Sequence, residues 1–255
     1  MNASANCSYV PTLFLGEKFW LVGVFGTTIC INGIAANSFL LTILLKKTIR
    51  NSYLIYLSVL AFLDIGILST YIAVFSVQIY YDSFHLLSLY VVWVNYIPYL
   101  YFLSKAVLLA QTYLIVAVTI ERLVEVSVMS GGRLKLRIGQ SQRWHIIVCV
   151  LLFATLFRLP CLWELRSVRL SECTGFASWG IDQSELTTQP WYQKGYSFYA
   201  DHIVRVFLPF SCLLVLNPLI INRWKKVLAP PPAPNVLIRY SLTSAEHIMA
   251  TTFLD

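Results

Sequence analysis

Charge is scarce in this chain. Only 12% of its 255 residues are Asp, Glu, Lys or Arg, about half the share a soluble domain carries. Enzyme motifs are missing too. There is no Walker loop, no His-Glu-x-x-His and no Gly-x-Ser-x-Gly, and His85, His145, His202 and His247 are scattered over loops and helix ends. Neither catalysis nor a cofactor is expected. Residues 1–16 lack the basic start of a cleavable signal, and the first apolar run is too long for a signal core. No internal repeat of the kind many transporters carry is found. The six cysteines do not form a disulfide scaffold: Cys30, Cys149 and Cys212 sit inside apolar runs, and Cys161 lies near the end of one. Cys7 and Cys173 fall in polar stretches, and spacing alone does not say whether they pair.

What the chain has is apolar length. Fully 58% of it is hydrophobic, gathered into blocks long enough to span lipid, which takes roughly 20 residues per helix. Helices are the form expected, because hydrocarbon offers backbone groups no outside partner. The predicted fold is all-α, a multi-pass transmembrane bundle with spans at about 19–45, 53–80, 99–126, 144–163 and 200–222. Residues 1–18 are read as an outer tail and 227–255 as a cytoplasmic, Pro-rich, poorly ordered tail. A short helix opened by Thr243 and Glu246 is a weak signal within it.

The net charge of +7 is grouped by position. Lys46, Lys47 and Arg50 follow the first block; Arg133, Lys135, Arg137 and Arg143 separate the third from the fourth; Arg223, Lys225 and Lys226 follow the fifth. Alternate connections are mixed or acidic. The positive-inside rule then places the N-terminus outside the cell and the basic clusters in the cytoplasm. Topology explains this charge, so nucleic acid is not an expected partner; membrane lipid is. Asn2 and Asn6 open N-glycosylation sequons on the outer side.

Polar residues inside spans are costly and point to function or to helix contacts. Asn37, among small residues, is expected to bridge to another helix. Asp64 is open to two readings, a buried hydrogen-bonding hub or an ion or proton site. Ser104, Gln111 and Arg122 share one face of the third helix, since Gln111 and Arg122 differ by about 20° at 100° per residue. That stripe should point into the bundle. Glu121 beside Arg122 could hold a cytoplasmic surface closed, with snorkelling of Arg122 as the alternative. Pro209 is expected to kink the fifth helix, and Pro160 the end of the fourth.

These residues in this order resemble the rhodopsin-like G-protein-coupled receptors over residues 19–226. The resemblance is carried by Asn37 after Gly33, by Leu60-Ala61-Phe62-Leu63-Asp64, by Glu121-Arg122-Leu123 as a form of the Asp/Glu-Arg-Tyr switch, and by Pro209. Asn51-Ser52-Tyr53, Thr119-Ile120-Glu121-Arg122 and Phe157-Arg158-Leu159-Pro160 are most similar to invertebrate neuropeptide receptors of the FMRFamide-receptor type. The resemblance implies a plasma-membrane protein with an extracellular peptide ligand, a heterotrimeric G protein as partner and a capacity for receptor oligomers. Arg122 would be the switch arginine with Glu121 its local partner, and Asp64 a sodium-linked carboxylate. Ser104, Lys105 and Arg205 would face the ligand, with Lys105 and Arg205 able to receive an anionic group or peptide carbonyls. Ser104 stands where amine receptors place aspartate, which argues against an amine ligand.

The chain departs from that pattern. Ile97 occupies the position of the third-helix cysteine, so Cys173 lacks its usual partner. Leu123 replaces the tyrosine. Gln111 stands where a small hydroxyl is commoner. No sixth or seventh helix, and no Cys-Trp-x-Pro or Asn-Pro-x-x-Tyr motif, is found; Asn217-Pro218 belongs to the fifth helix. A fragment, a splice product or an imperfect gene model is therefore expected, one that does not signal normally alone. Two other readings stay open: a non-signalling chain that modulates a full-length receptor, and a transporter.

Overall fold

The computed structural model describes Cys7 and residues 9–48, 54–129 and 139–228. The expectations attached to Asn2, Asn6, Arg50, residues 51–53, Arg133, Lys135, Arg137 and the tail from 229 onward lie outside the described residues.

Five long apolar helices account for most of the chain: α1 (Leu15–Lys47), α2 (Leu54–Phe84), α3 (Leu87–Met129), α4 (Gln140–Trp163) and α5 (Trp191–Leu228). Each is long and apolar enough to cross a membrane, and together they form the all-α transmembrane bundle the composition implied. An antiparallel hairpin, β1 (Leu165–Arg169) and β2 (Trp179–Gln183), connects α4 to α5. The predicted all-α fold contains no such hairpin.

α3 is the centre of the bundle. Leu109 and Leu114 on α3 are fully buried with Ile55 and Leu63 of α2 and Ile147 and Ala154 of α4. α1 and α5 are outermost, packing on α2 and α3 respectively. α1 approaches α2 closely because Gly33 lies under Leu68: a methyl group there would meet Leu68 Cδ1 at 2.7 Å. The ring of Tyr71 fills the corresponding space at Gly26. Small residues thus let these helices touch where lipid gives no hydrophobic push.

α3 starts at Leu87, well before position 99. Only His85, in the left-handed region at φ 52°, and Leu86 separate it from α2. Its 43 residues span roughly 65 Å at 1.5 Å per residue, more than twice the roughly 30 Å hydrocarbon core. The surplus carries Tyr90, Trp93, Val94 and Ile97, which pack with Tyr81 into a second buried cluster under the hairpin. A length rule for spans stops short of such an extension. α5 likewise begins at Trp191, ahead of position 200.

Three helices widen locally to π-type turns, α1 at Phe19–Gly26, α2 at Ile72–Ser76 and α5 at both Trp191–Ala200 and Ile203–Phe207. Such turns leave carbonyls to be satisfied from outside the helix. Neighbouring aromatic side chains supply the donors. Tyr80 Oη donates to Gly23 O at 2.6 Å, Trp93 Nε1 to Val74 O at 3.0 Å, Tyr96 Oη to Ala73 O at 2.6 Å, and Tyr113 Oη to Val204 O at 2.8 Å. Interhelical aromatic pins therefore hold the bundle where its backbone is irregular. Pro160 lies near the end of α4, where the backbone tightens to a 3₁₀ turn over Leu159–Trp163.

Candidate functional site

The polar residues collect at three levels: the hairpin end, the middle and the basic end. At the hairpin end, the tail before α1 is strapped down. Cys7 is disulfide-bonded to Cys173, with their Cα atoms 5.4 Å apart. The pairing that spacing left open is thus made, with Cys7 in place of the usual third-helix partner. Ile97 cannot take that role and instead packs in the apolar cluster beneath. Further along the tail, Tyr9 Oη and Thr12 Oγ1 donate to the two carboxylate oxygens of Asp82, and the Thr12 amide adds a bond of 3.1 Å. Asp82 is buried. Burial, then the hydrogen bond to Asp82, push the Tyr9 phenol above its ordinary range. Tyr9 also packs against Tyr90 and Phe176, while Tyr90 Oη donates to Trp179 O at 2.7 Å. Tail, α2, α3 and hairpin are thus one unit.

Beside that unit, Glu164 is the hub where α4 passes into the hairpin. Its Oε1 accepts from Tyr192 Oη at 2.6 Å and its Oε2 from Lys105 Nζ at 3.4 Å. Lys105 also lies 4.0 Å over the Tyr101 ring. Burial raises the Glu164 carboxyl, but the Tyr192 hydrogen bond and the Lys105 charge outweigh it and hold the group below its ordinary value. Glu164 also lines a cleft of about 230 Å³ with Tyr101, Gln183, Tyr192, Gln193 and Ser197. Lys105 therefore already has a carboxylate partner. So has Arg205, whose Nη2 is 3.5 Å from Asp201 Oδ2. The other Asp201 oxygen lies 2.5 Å from Arg158 Nη2, a buried pair that ties α4 to α5. Tyr196 Oη adds a bond to Phe157 O at 2.5 Å.

In the middle, Gln111 Nε2 donates to Asp64 Oδ1 at 2.7 Å, joining α3 to α2. The Asp64 side chain is nevertheless exposed, where the sequence reading placed it in the interior. Asn37 does not bridge helices: its Nδ2 donates to Gly33 O of its own helix at 3.0 Å. Ser104 likewise turns back to Tyr101 O at 2.9 Å. Pro209 is buried directly after the π-type turn in α5. Among the described residues, no group of three His, Cys, Asp or Glu side chains stands ready for a metal.

At the basic end, Glu121 is buried and its Oε1 accepts from Arg143 Nε at 2.6 Å and from Arg143 Nη2. Arg143 Nη2 also lies 3.7 Å from Glu125 Oε1. The neighbouring Arg122 is half-exposed and its Nη1 reaches Glu125 Oε2 at 3.3 Å. So the expected Glu121 and Arg122 pair is resolved differently: adjacent residues on a helix point about 100° apart, and Glu121 faces α4 while Arg122 turns outward. Glu121, Arg122, Glu125 and Tyr56 line a cavity of about 110 Å³. The stripe of Ser104, Gln111 and Arg122 therefore begins half-buried and ends exposed.

Glu164, Arg143, Tyr113 and the Arg158–Asp201 pair escaped the sequence reading. Arg158 is the one charge in its apolar block and Asp201 opens the next; opposite charges in successive spans are the signal that would have paired them.

No family model matches the chain. Among curated proteins it is similar to an FMRFamide receptor of Drosophila melanogaster, at 30% identity over 219 residues. That match covers 82% of the chain and 38% of the fly receptor, so the chain spans well under half the length of its relative. With five membrane-length helices among its described residues, the chain is a multi-pass membrane protein.

Proposed function

We propose that the chain is a rhodopsin-like, G-protein-coupled receptor-type protein of the plasma membrane that takes an extracellular neuropeptide at its hairpin end. The observation that carries this reading is the 30% identity to the fly receptor, extending over 82% of the chain and so over most of the bundle. The hairpin end supports it, because a disulfide-strapped lid beside a polar cleft suits an oxidising outer compartment and a peptide. By this reading the N-terminus is outside, and Glu121, Arg122, Arg143 and the basic helix ends face a heterotrimeric G protein. Asp64 would be the carboxylate open to sodium.

The test is saturable binding of labelled peptides of the FMRFamide class, with scrambled controls, to membranes from cells expressing the chain. Saturable binding is the expected result. Its absence over a panel of neuropeptides contradicts the ligand assignment.

A second reading is favoured by the exposed Asp64–Gln111 pair. A carboxylate at mid-span is costly in lipid, and another membrane protein's polar side chain would relieve that cost. The chain would then modulate a full-length receptor. Co-expression should change that receptor's surface level, and Asp64→Ala should abolish the change.

A further inference from the structure

The resemblance implied that Lys105 receives an anionic group or peptide carbonyls; the geometry turns attention to Glu164. Lys105 is spent on Glu164, and Glu164, not Lys105, lines the cleft at the hairpin end. We propose that this cleft binds one cationic group, an amine or guanidinium on an extracellular ligand, with Glu164 as counter-ion and Tyr101 and Tyr192 as aromatic walls. Its place on the outer side rests on the receptor reading above; the binding itself does not.

Four observations carry the assignment. First, Glu164 contributes the sole charge among the residues lining the cleft; the others are Tyr, Leu, Gln, Thr and Ser. An anion entering would meet a carboxylate and no lining cation. Second, an ionised carboxylate offers about four acceptor positions. Tyr192 and Lys105 take one on each oxygen and the Tyr101 and Cys161 side chains also reach the carboxylate, so an incoming cation enters by taking the place of Lys105. Third, tyrosine faces attract cations, and Tyr101 already does so for Lys105 at 4.0 Å. The side-chain oxygens of Gln183, Gln193 and Ser197 add neutral acceptors. Fourth, the volume of about 230 Å³ is below the roughly 300–1,000 Å³ of sites that enclose a whole small ligand. It suits one side-chain-sized group of something larger.

Lys105 is the built-in competitor. It neutralises Glu164 from the α3 side while the cleft is empty, so the buried carboxylate is never left alone. An incoming cation takes over that carboxylate, and its affinity is reduced by the presence of Lys105.

The experiment uses the full chain in lipid nanodiscs and, as probes, arginine amide and its uncharged counterpart of matching shape, citrulline amide. Saturation-transfer NMR and thermal shift read binding. Arginine amide should bind and citrulline amide should bind at least about tenfold more weakly, the factor expected for loss of a charge-assisted hydrogen bond. Lys105→Met should tighten arginine amide. Gln193→Lys, which adds a cation to the rim and leaves the Glu164 hub intact, should abolish it. Because Glu164→Gln alone strands Lys105, the double variant Glu164→Gln/Lys105→Met serves as the folded control, and it should not bind. Equal binding of the two probes, no binding of arginine amide to the wild-type chain, or full binding to the folded double variant each overturns the proposal. Peptide binding that fails while arginine amide binds sinks the ligand assignment alone; the reverse sinks the cleft assignment alone.

Discussion

The phenol of Tyr113 on α3 donates to the carbonyl of Val204 on α5 at 2.8 Å, at the point where α5 has no donor of its own. The amide of Leu208 is taken by Ile203. In the same π-type register Val204 would be served by the amide of residue 209, which is proline and has none. A side chain from the next helix fills the gap. Tyr113→Phe should therefore destabilise the bundle by about 1 kcal/mol, read as a lower midpoint of thermal unfolding in detergent. Pro209→Ala restores a backbone donor. In its background the Tyr113→Phe effect should shrink, a coupling that a double-mutant cycle measures. Additive effects would break the link.

The Cys7–Cys173 bond closes a loop across a sequence separation of 166, so its main action is on the unfolded chain. Reduction, or Cys7→Ser, should cost about 2–4 kcal/mol. Peptide mapping under non-reducing conditions should recover Cys7 and Cys173 in one fragment, with Cys30, Cys149, Cys161 and Cys212 as free thiols.

Glu164 gives the hairpin end a pH dependence of definite sign. Its folded value is held below the unfolded one. The stabilisation is thus complete above the unfolded carboxylate value, roughly 4.3, and is lost as pH falls through the lower folded value. Melting temperature should drop over that acidic window. In the folded double variant Glu164→Gln/Lys105→Met that component of the slope should vanish.

At the basic end Arg143, outside the Glu121-Arg122-Leu123 motif, should matter more to stability than Arg122 within it. Arg143→Gln removes the cation bonded to buried Glu121 and should cost about 3–5 kcal/mol. Arg122→Gln breaks an exposed pair with Glu125 and should cost about 1 kcal/mol or less. Unfolding in detergent orders the two variants directly. Equal losses would mean that the Arg143 contact is not formed.

Much of the architecture was legible in the sequence because bilayer thickness sets a length scale that apolar runs obey. That scale does not bound helices which continue past the lipid. α3 extends back to Leu87 because Tyr90, Trp93 and Ile97 have an aromatic cluster and a hairpin to bury against, and no local pattern announces a tertiary partner. The polar sites were half legible. Asp64, Gln111 and Arg122 stood out as polar groups in apolar helices, and Asp64 and Gln111 do meet. Their partners across helices did not stand out. Whether Glu121 meets Arg122 or Arg143 depends on helix rotation, and Cys173 found Cys7 only because the tail folds back over Asp82.

A crossing by α5 places the hairpin and the far end of α5 on opposite sides of the membrane. Ser171 and Lys225 are exposed at those two ends, so Ser171→Cys and Lys225→Cys variants can be labelled with a membrane-impermeant maleimide in intact cells. Ser171→Cys should react at once, and Lys225→Cys only after permeabilisation. Equal labelling of both in intact cells would contradict that crossing.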